Sequence, residues 1–205
     1  MDTTINRKSY NKIAEQWVNY GKKNAFVIQP IIEFVNKLPP KAKVLDIGCG
    51  TGYPIAQYLA NRSFQVTGID FSEHLLAQAT QLHLPNAAFF HCDFFDYQPS
   101  QKFDGIIAFD SFFHFPKHKQ VEIYQRVSDW MQDGGYLLFT HGREEGEIYG
   151  QMFGETFYYS SLSLVELKQV LHKADLEIEV LIENYIEKNN QRDLIVVARK
   201  LMNTV

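Results

Sequence analysis

The chain has little cysteine, little proline and no strong bias of charge. Two cysteines, Cys49 and Cys92, stand among 205 residues. They make neither a disulfide framework nor a CxxC metal pair, and no metal centre is expected. No apolar run approaches the ~20 residues that span a bilayer. The N-terminus, MDTTINRKSY, has no apolar stretch of the secretory kind, so a cytoplasmic location and no membrane partner are the default expectation. The net charge is −4, and no basic run exceeds Lys22-Lys23. A phosphate-neutralising face is therefore not expected, nor a nucleic-acid partner. There is no internal repeat, low-complexity segment or long linker, so residues 1–205 read as one domain.

What is present is an alternation of helical and extended patterns. Tyr10, Ile13, Trp17 and Tyr20 share one helical face, and Gly21 is placed to end that helix. Pro30 suits the first turn of a second helix with Ile31, Ile32, Val35 and Leu38 inward, stopped by Pro39-Pro40. Strands are then expected at 43–47, 65–69, 87–92, 103–109 and 136–140. Helices lie between them: 54–61, a helix capped by Ser72, and 117–131 with Val121, Tyr124, Val127 and Met131 on one face and Gly134-Gly135 closing it. An irregular stretch over 142–160 follows. Ser163 and Glu166 form a capping box for the last helix, with Leu162 and Leu167 as its hydrophobic staple. Strands near 177–186 and 193–199 flank the turn-forming Asn189-Asn190 and read as a hairpin. The expected fold class is α/β, a mostly parallel sheet of about seven strands with helices on both faces.

The chemistry concentrates in Val44-Leu45-Asp46-Ile47-Gly48-Cys49-Gly50-Thr51-Gly52. Glycines there let a strand turn sharply into a helix and let a ligand approach the backbone. The dinucleotide spacing Gly-x-Gly-x-x-Gly would need glycine at Tyr53, whereas the third glycine is Gly52. Asp46, Asp70 and Asp93 end three successive strands. A carboxylate at Asp70 can accept from both ribose hydroxyls, and one at Asp93 from an exocyclic adenine amine. Phe71 and Phe94 each follow an acid and can flank the adenine ring. Tyr10 and Trp17 divide between core and ligand cover. Phe109 ends the fourth strand and Asp110 follows it, where Asp110 can meet an ammonium. His114 and His141 follow the fourth and fifth strands and are candidates for substrate contact or proton transfer. Cys49 reads as a small loop residue, and Cys92 as buried and inert.

These motifs, with Phe103-Asp104-Gly105-Ile106-Ile107, Gly134-Gly135-Tyr136-Leu137-Leu138 and Leu194-Ile195-Val196-Val197-Ala198, resemble the class I, Rossmann-like S-adenosylmethionine-dependent methyltransferases that act on small molecules. The resemblance covers nearly the whole chain. It implies a three-layer fold whose seven-stranded sheet ends in an antiparallel strand beside the fifth. It implies S-adenosylmethionine as cofactor and S-adenosylhomocysteine as product. The glycine loop (Gly48, Cys49, Gly50, Gly52) and Asp46 would surround the methionine part, Asp70 the ribose, and Asp93 with its neighbour the adenine. The family often has glycine after the last helix, where this chain has Asp175.

The acceptor, at O, N or C of a small metabolite, has no signature in the sequence, and the oligomeric state is open. Two alternatives remain: a catalytically silent cofactor-binding subunit, and an NAD(P)-dependent oxidoreductase. The N-terminal helices (1–40) are expected to cover the cofactor. Residues 143–160, rich in aromatics and glycine, are expected to be a lid, against a fixed extra helix. Glu144, Glu145, Glu147 and Glu155 in that segment predict neutral or cationic acceptors.

Overall fold

The computed structural model describes residues 4–188 and 190–202. Nine strands and six helices follow in the order α1 (Thr4–Asn24), α2 (Gln29–Lys37), β1 (Lys43–Ile47), α3 (Ile55–Asn61), β2 (Gln65–Asp70), α4 (Glu73–Gln81), β3 (Ala87–His91), β4 (Phe103–Ala108), α5 (Gln120–Trp130), β5 (Met131–His141), β6 (Gly146–Met152), β7 (Glu155–Ser161), α6 (Leu164–Lys173), β8 (Leu176–Glu187) and β9 (Asn190–Lys200). Seven strands form one sheet in the order β3-β2-β1-β4-β5-β9-β8. The first five strands are parallel, and β9 runs antiparallel between β5 and β8. This is the expected class I methyltransferase architecture.

Both faces of the sheet are covered, which explains why its central strands are apolar runs without alternating polar positions. Val44, Ile107, Leu138 and Ile195 point to one side, with Phe34 and Val35 of α2 and Ala56 and Leu59 of α3. Leu45, Ile106, Leu137 and Val196 point to the other, with Tyr124 and Val127 of α5 and Leu167 and Leu171 of α6. The chain order reverses direction between β1 and β4, and the carboxyl ends of those strands open a crevice.

Local signals acted largely as expected. Ser72 caps α4 by accepting from Leu75 N, and Ser163 and Glu166 complete the capping box of α6. Asp175 takes the left-handed conformation (φ 56°) where the family often has glycine. Asn189 lies outside the described residues, but β8 and β9 pair as the expected hairpin.

Five expectations need correction. Gly21 does not end α1, which continues to Asn24. Gly134 and Gly135 lie inside β5, which begins at Met131; the register against β4 shifts between Phe103 and Gly105, so the glycines sit in an irregular stretch of strand. Val121 is exposed, because the buried face of α5 is set by Gln120, Ile123, Tyr124 and Val127. Cys92 is only partly buried. Residues 142–160 are neither irregular nor helical: β6 and β7 form an antiparallel hairpin, Gly146↔Ser161 through Met152↔Glu155, apart from the main sheet.

The hairpin is tied to α1. Asn6 accepts from Tyr158 N (2.8 Å) and donates to Tyr158 O (2.9 Å), and Ser9 donates to Thr156 O (2.6 Å). At its turn Phe153 meets Trp17 and Tyr20 edge-on. The segment's large aromatic content is thereby explained: Phe157 and Tyr158 are buried against α1 and the loop after β4.

Candidate active site

The crevice at the ends of β1 and β4 is a cavity of about 480 Å³. That is the size of a small-molecule or cofactor site. Of the residues singled out in the sequence, Tyr10, Trp17, Asp46, Gly48, Cys49, Gly50, Asp70, Phe71, Asp93, Phe94, Phe109, Asp110 and His114 line it. Gly52 and His141 do not.

The glycine loop works as its spacing suggests. Gly48, Gly50 and Gly52 all have positive φ (73°, 53° and 71°). A Cβ on Gly48 would lie 2.6 Å from Ser111 Cβ, so only glycine lets the β1 and β4 loops close on each other. Gly52 is buried away from the cavity; a Cβ there would crowd Phe89, Ala79 and Leu82, so its contribution is loop packing.

Two buried carboxylates floor the cavity. Asp46 is 3% exposed and Asp70 5% exposed. Asp70 accepts from Gly50 N (2.8 Å) and Ser72 N (2.7 Å), which locks the glycine loop to the end of β2 and leaves lone pairs for a further donor. Burial pushes its carboxyl up to about 6, against the pull of those N–H groups. Asp46 receives no hydrogen bond or ion pair among the described residues, and burial together with Asp70 pushes its carboxyl up to about 7. An acid so placed favours a cation or a strong donor beside it. Asp93 is exposed at the rim, its carboxylate accepting from Phe95 N (2.9 Å). Phe94 lines the cavity but is itself buried in an aromatic cluster with Phe95, Phe115 and Trp130. Burial raises the Cys49 thiol well above its ordinary value, and the Cys92 thiol to about 11; neither is an activated nucleophile.

The roof comes from α1. Tyr10 Oη lies 3.0 Å from His114 Nε2, and His114 Nδ1 lies 3.0 Å from Tyr158 O. A carbonyl only accepts, so Nδ1 carries the proton and Nε2 accepts from the Tyr10 hydroxyl. Burial pushes His114 down to about 4, which keeps the imidazole neutral. His114 thus joins the loop after β4, α1 and the hairpin at the cavity wall. His141 is 2% exposed, with Nδ1 donating to Gly142 O (2.6 Å) and Nε2 accepting from Leu162 N (3.3 Å) beside the Gln120 side chain of α5 (3.2 Å), and burial lowers its basicity. It fastens the end of β5 to α5 instead of facing the cavity.

Sequence reasoning missed Arg192 and Ser111. Arg192, on β9, reaches the cavity and grips Asp110: Nε donates to Oδ1 (2.7 Å), Nη2 bonds Oδ2, and the guanidinium lies over Phe109 (5.1 Å). Thr140 receives Asp110 N (2.8 Å) and meets its Oδ1 (3.2 Å). Ser111 Oγ is buried in the wall without a partner. One arginine before a strand carries no sequence signal, since its reach depends on where β9 inserts. The glutamates of the hairpin face elsewhere: Glu155 pairs with Lys12, Glu145 with Lys117, and Glu147 accepts from Tyr158 Oη. None lines the cavity, so they set no charge preference there. Among the described residues no group of His, Cys, Asp and Glu is arranged to hold a metal, and no helix is long and apolar enough to cross a membrane.

Residues 44–135 match a family model described as "Methyltransferase domain". A probable thiol methyltransferase 2 of Arabidopsis thaliana is 33% identical over 104 residues, 48% of this chain and 46% of the relative. A malonyl-[acyl-carrier protein] O-methyltransferase of Bacillus cereus is 29% identical over 153 residues, 70% of this chain and 55% of the relative. The chain spans about half the length of the curated relatives it matches. Among solved structures, a Burkholderia thailandensis 1,6-didemethyltoxoflavin-N1-methyltransferase with bound S-adenosylhomocysteine superposes at TM-score 0.76, with 17% identity over 97% of this chain and 88% of the other. A Synechocystis magnesium protoporphyrin IX methyltransferase with bound S-adenosylmethionine superposes at 0.74, with 18% identity over 98% of each chain.

Proposed function

We propose that this chain, whose residues 44–135 match the methyltransferase-domain family model, binds S-adenosylmethionine and transfers the methyl group to a small molecule. The observation that carries the reading is the floor of the cavity. Two buried carboxylates, Asp46 and Asp70, stand beside a glycine loop, and Asp46 has no partner of its own. A dinucleotide would bring a pyrophosphate to that loop, and these acids would repel it. An adenosyl amino acid brings cationic groups and ribose hydroxyls instead, and the unpartnered Asp46 and Ser111 Oγ are suited to such donors.

In this reading Asp46 faces the cationic end, Asp70 accepts from the ribose through its free lone pairs, and Asp93 accepts from the adenine amine at the rim. Phe71 and Phe94 supply the apolar walls. When bound, the cofactor supplies an electrophilic methyl on a sulfonium, and the chain's task is to position the acceptor and keep water out. Tyr10 and Trp17 of the N-terminal helices cover that point, and the β6–β7 hairpin bonded to α1 acts as the lid above them. His114 is neutral and its unprotonated Nε2 is engaged by the Tyr10 hydroxyl, so it receives a proton from an acceptor only through or in place of Tyr10. The relatives act on a thiol and on a malonyl group by name, and the neighbours on a toxoflavin precursor and a porphyrin; the acceptor here is a small molecule of O, N, S or C nucleophilicity. The free thiols of Cys49 and Cys92 suit a reducing compartment, and a cytoplasmic location belongs to this reading.

The test is a metabolite panel incubated with methyl-labelled S-adenosylmethionine and read by mass shift. A labelled product, absent with the Asp46→Asn variant, is expected. Tight cofactor binding with no labelled product from any acceptor would favour the silent binding subunit.

A further inference from the structure

The residues around the cavity divide by chemistry. The carboxylates Asp46, Asp70 and Asp93 stand at or just past the ends of β1, β2 and β3. A second set is aromatic and comes from other elements. Tyr20 lies on α1, Phe26 in the link from α1 to α2, Tyr53 in the turn before α3, and Phe109 just past β4. Tyr20 and Tyr53 are 44% and 39% exposed, so these rings stand at the opening. They are held in place. Tyr20 stacks on Trp17, with 6.0 Å between centroids and 23° between planes, and meets Phe153 of the hairpin turn edge-on. Tyr53 Oη donates to Ala25 O (3.3 Å). Arg192 lies over Phe109 (5.1 Å) and Lys188 over Phe26 (4.3 Å). The polar groups among these rings are already engaged. Asn24 Nδ2 donates to Tyr20 O (2.9 Å), and Arg192 is divided between Asp110 and Gln191 O.

From this arrangement we infer that the methyl acceptor is a flat, uncharged aromatic molecule, and that the rings of Phe26 and Tyr53 select it. The inference rests on the cofactor reading above and names the acceptor class for that same site. Ring faces and edges reward another ring beyond the area it buries, and a saturated body of the same size gains only the area. Aromatic mouths also suit cations in general. Here Arg192 and Lys188 already lie over two of the four rings, and a ligand cation meets their repulsion. A ligand anion meets Asp46, Asp70 and Asp110 across the cavity, while the guanidinium that could receive it is spent on Asp110. A charge of either sign therefore enters at a cost that a neutral ring avoids.

A matched set of probes separates ring from charge: naphthol, naphthoate, naphthylmethylammonium and the saturated decalinol. Each is titrated by saturation-transfer difference spectra on the S-adenosylhomocysteine-loaded protein, as wild type, Phe26→Ala, Tyr53→Ala and Tyr53→Phe. Naphthol is expected to bind the wild type at least about tenfold more tightly than the other three. Phe26→Ala and Tyr53→Ala should each weaken naphthol about tenfold, and Tyr53→Phe, which keeps the ring and loses the bond to Ala25 O, should not. The affinity of S-adenosylhomocysteine, measured by calorimetry, should stay unchanged in all three variants, which also shows that they fold. Naphthoate, the ammonium or decalinol binding as well as naphthol overturns the inference, as does naphthol that fails to bind or that ignores both alanine variants. Failure of S-adenosylhomocysteine to bind the wild type would strike the cofactor reading instead.

Discussion

Replacing Asp46 by asparagine should make the unliganded protein more stable and the cofactor weaker. The acid is 3% exposed and without a partner, and its carboxyl rises from an ordinary 3.8 to about 7. The sign follows from linkage. In the unfolded chain the group ionises from about pH 4 upward, whereas in the folded chain it stays protonated until about pH 7. Folding therefore takes up a proton in this window, and stability is lost as pH rises through it. Three pKa units correspond to about 4 kcal/mol above pH 8 as a ceiling. Relaxation of the site reduces this to an expected gain of about 1–2 kcal/mol for Asp46→Asn, or roughly 2–8 °C in a chain of this size. Melting curves from about pH 4.5 to about pH 8.5 should show the variant's advantage growing with pH and vanishing at the acid end. In the same samples S-adenosylmethionine should stabilise the wild type and hardly affect the variant. A variant that melts at or below wild type at the alkaline end would refute the argument, since it would mean that the carboxylate is already compensated in the free protein.

Other consequences follow from the same geometry. S-adenosylmethionine affinity should rise as pH increases through 6–7, because the cation favours the ionised forms of Asp46 and Asp70; a flat calorimetric profile would contradict their raised pKa values. Asp70→Ala should weaken S-adenosylhomocysteine at least about tenfold, by removing charge-assisted hydrogen bonds and the anchor of Gly50 N, with the fold retained by circular dichroism. Hydrogen exchange over residues 143–160 should slow when product cofactor and acceptor bind; equal, strong protection in every state would make the β6–β7 hairpin a fixed element and not a lid. Ser163→Ala should cost about 1 kcal/mol in urea unfolding, since it removes the hydroxyl that accepts from Glu166 N while the backbone N–H of residue 163 still donates to the Glu166 carboxylate.

The sheet and most of its site were readable because they rest on local rules. Glycine spacing, strand-end acids, capping residues and buried runs each act within a few positions. They foretold β1 to β5, the terminal hairpin and the gathering of Asp46, Gly48, Asp70, Asp93 and His114. What was not readable depends on distant packing. The β6–β7 hairpin looked irregular because its aromatics alternate against α1, some 150 residues away in sequence, and not against the sheet. Arg192 reaches the cavity only because β9 inserts beside β5. His141 shares its strand-end position with other candidates, yet its ring turns toward Gln120, a choice made by α5.

The most direct test of the central claim is calorimetric titration of the protein with S-adenosylhomocysteine and, separately, with NAD. Saturable one-to-one binding of S-adenosylhomocysteine, lost with Asp46→Asn, and no binding of NAD is the predicted result. Binding of NAD without S-adenosylhomocysteine would contradict it.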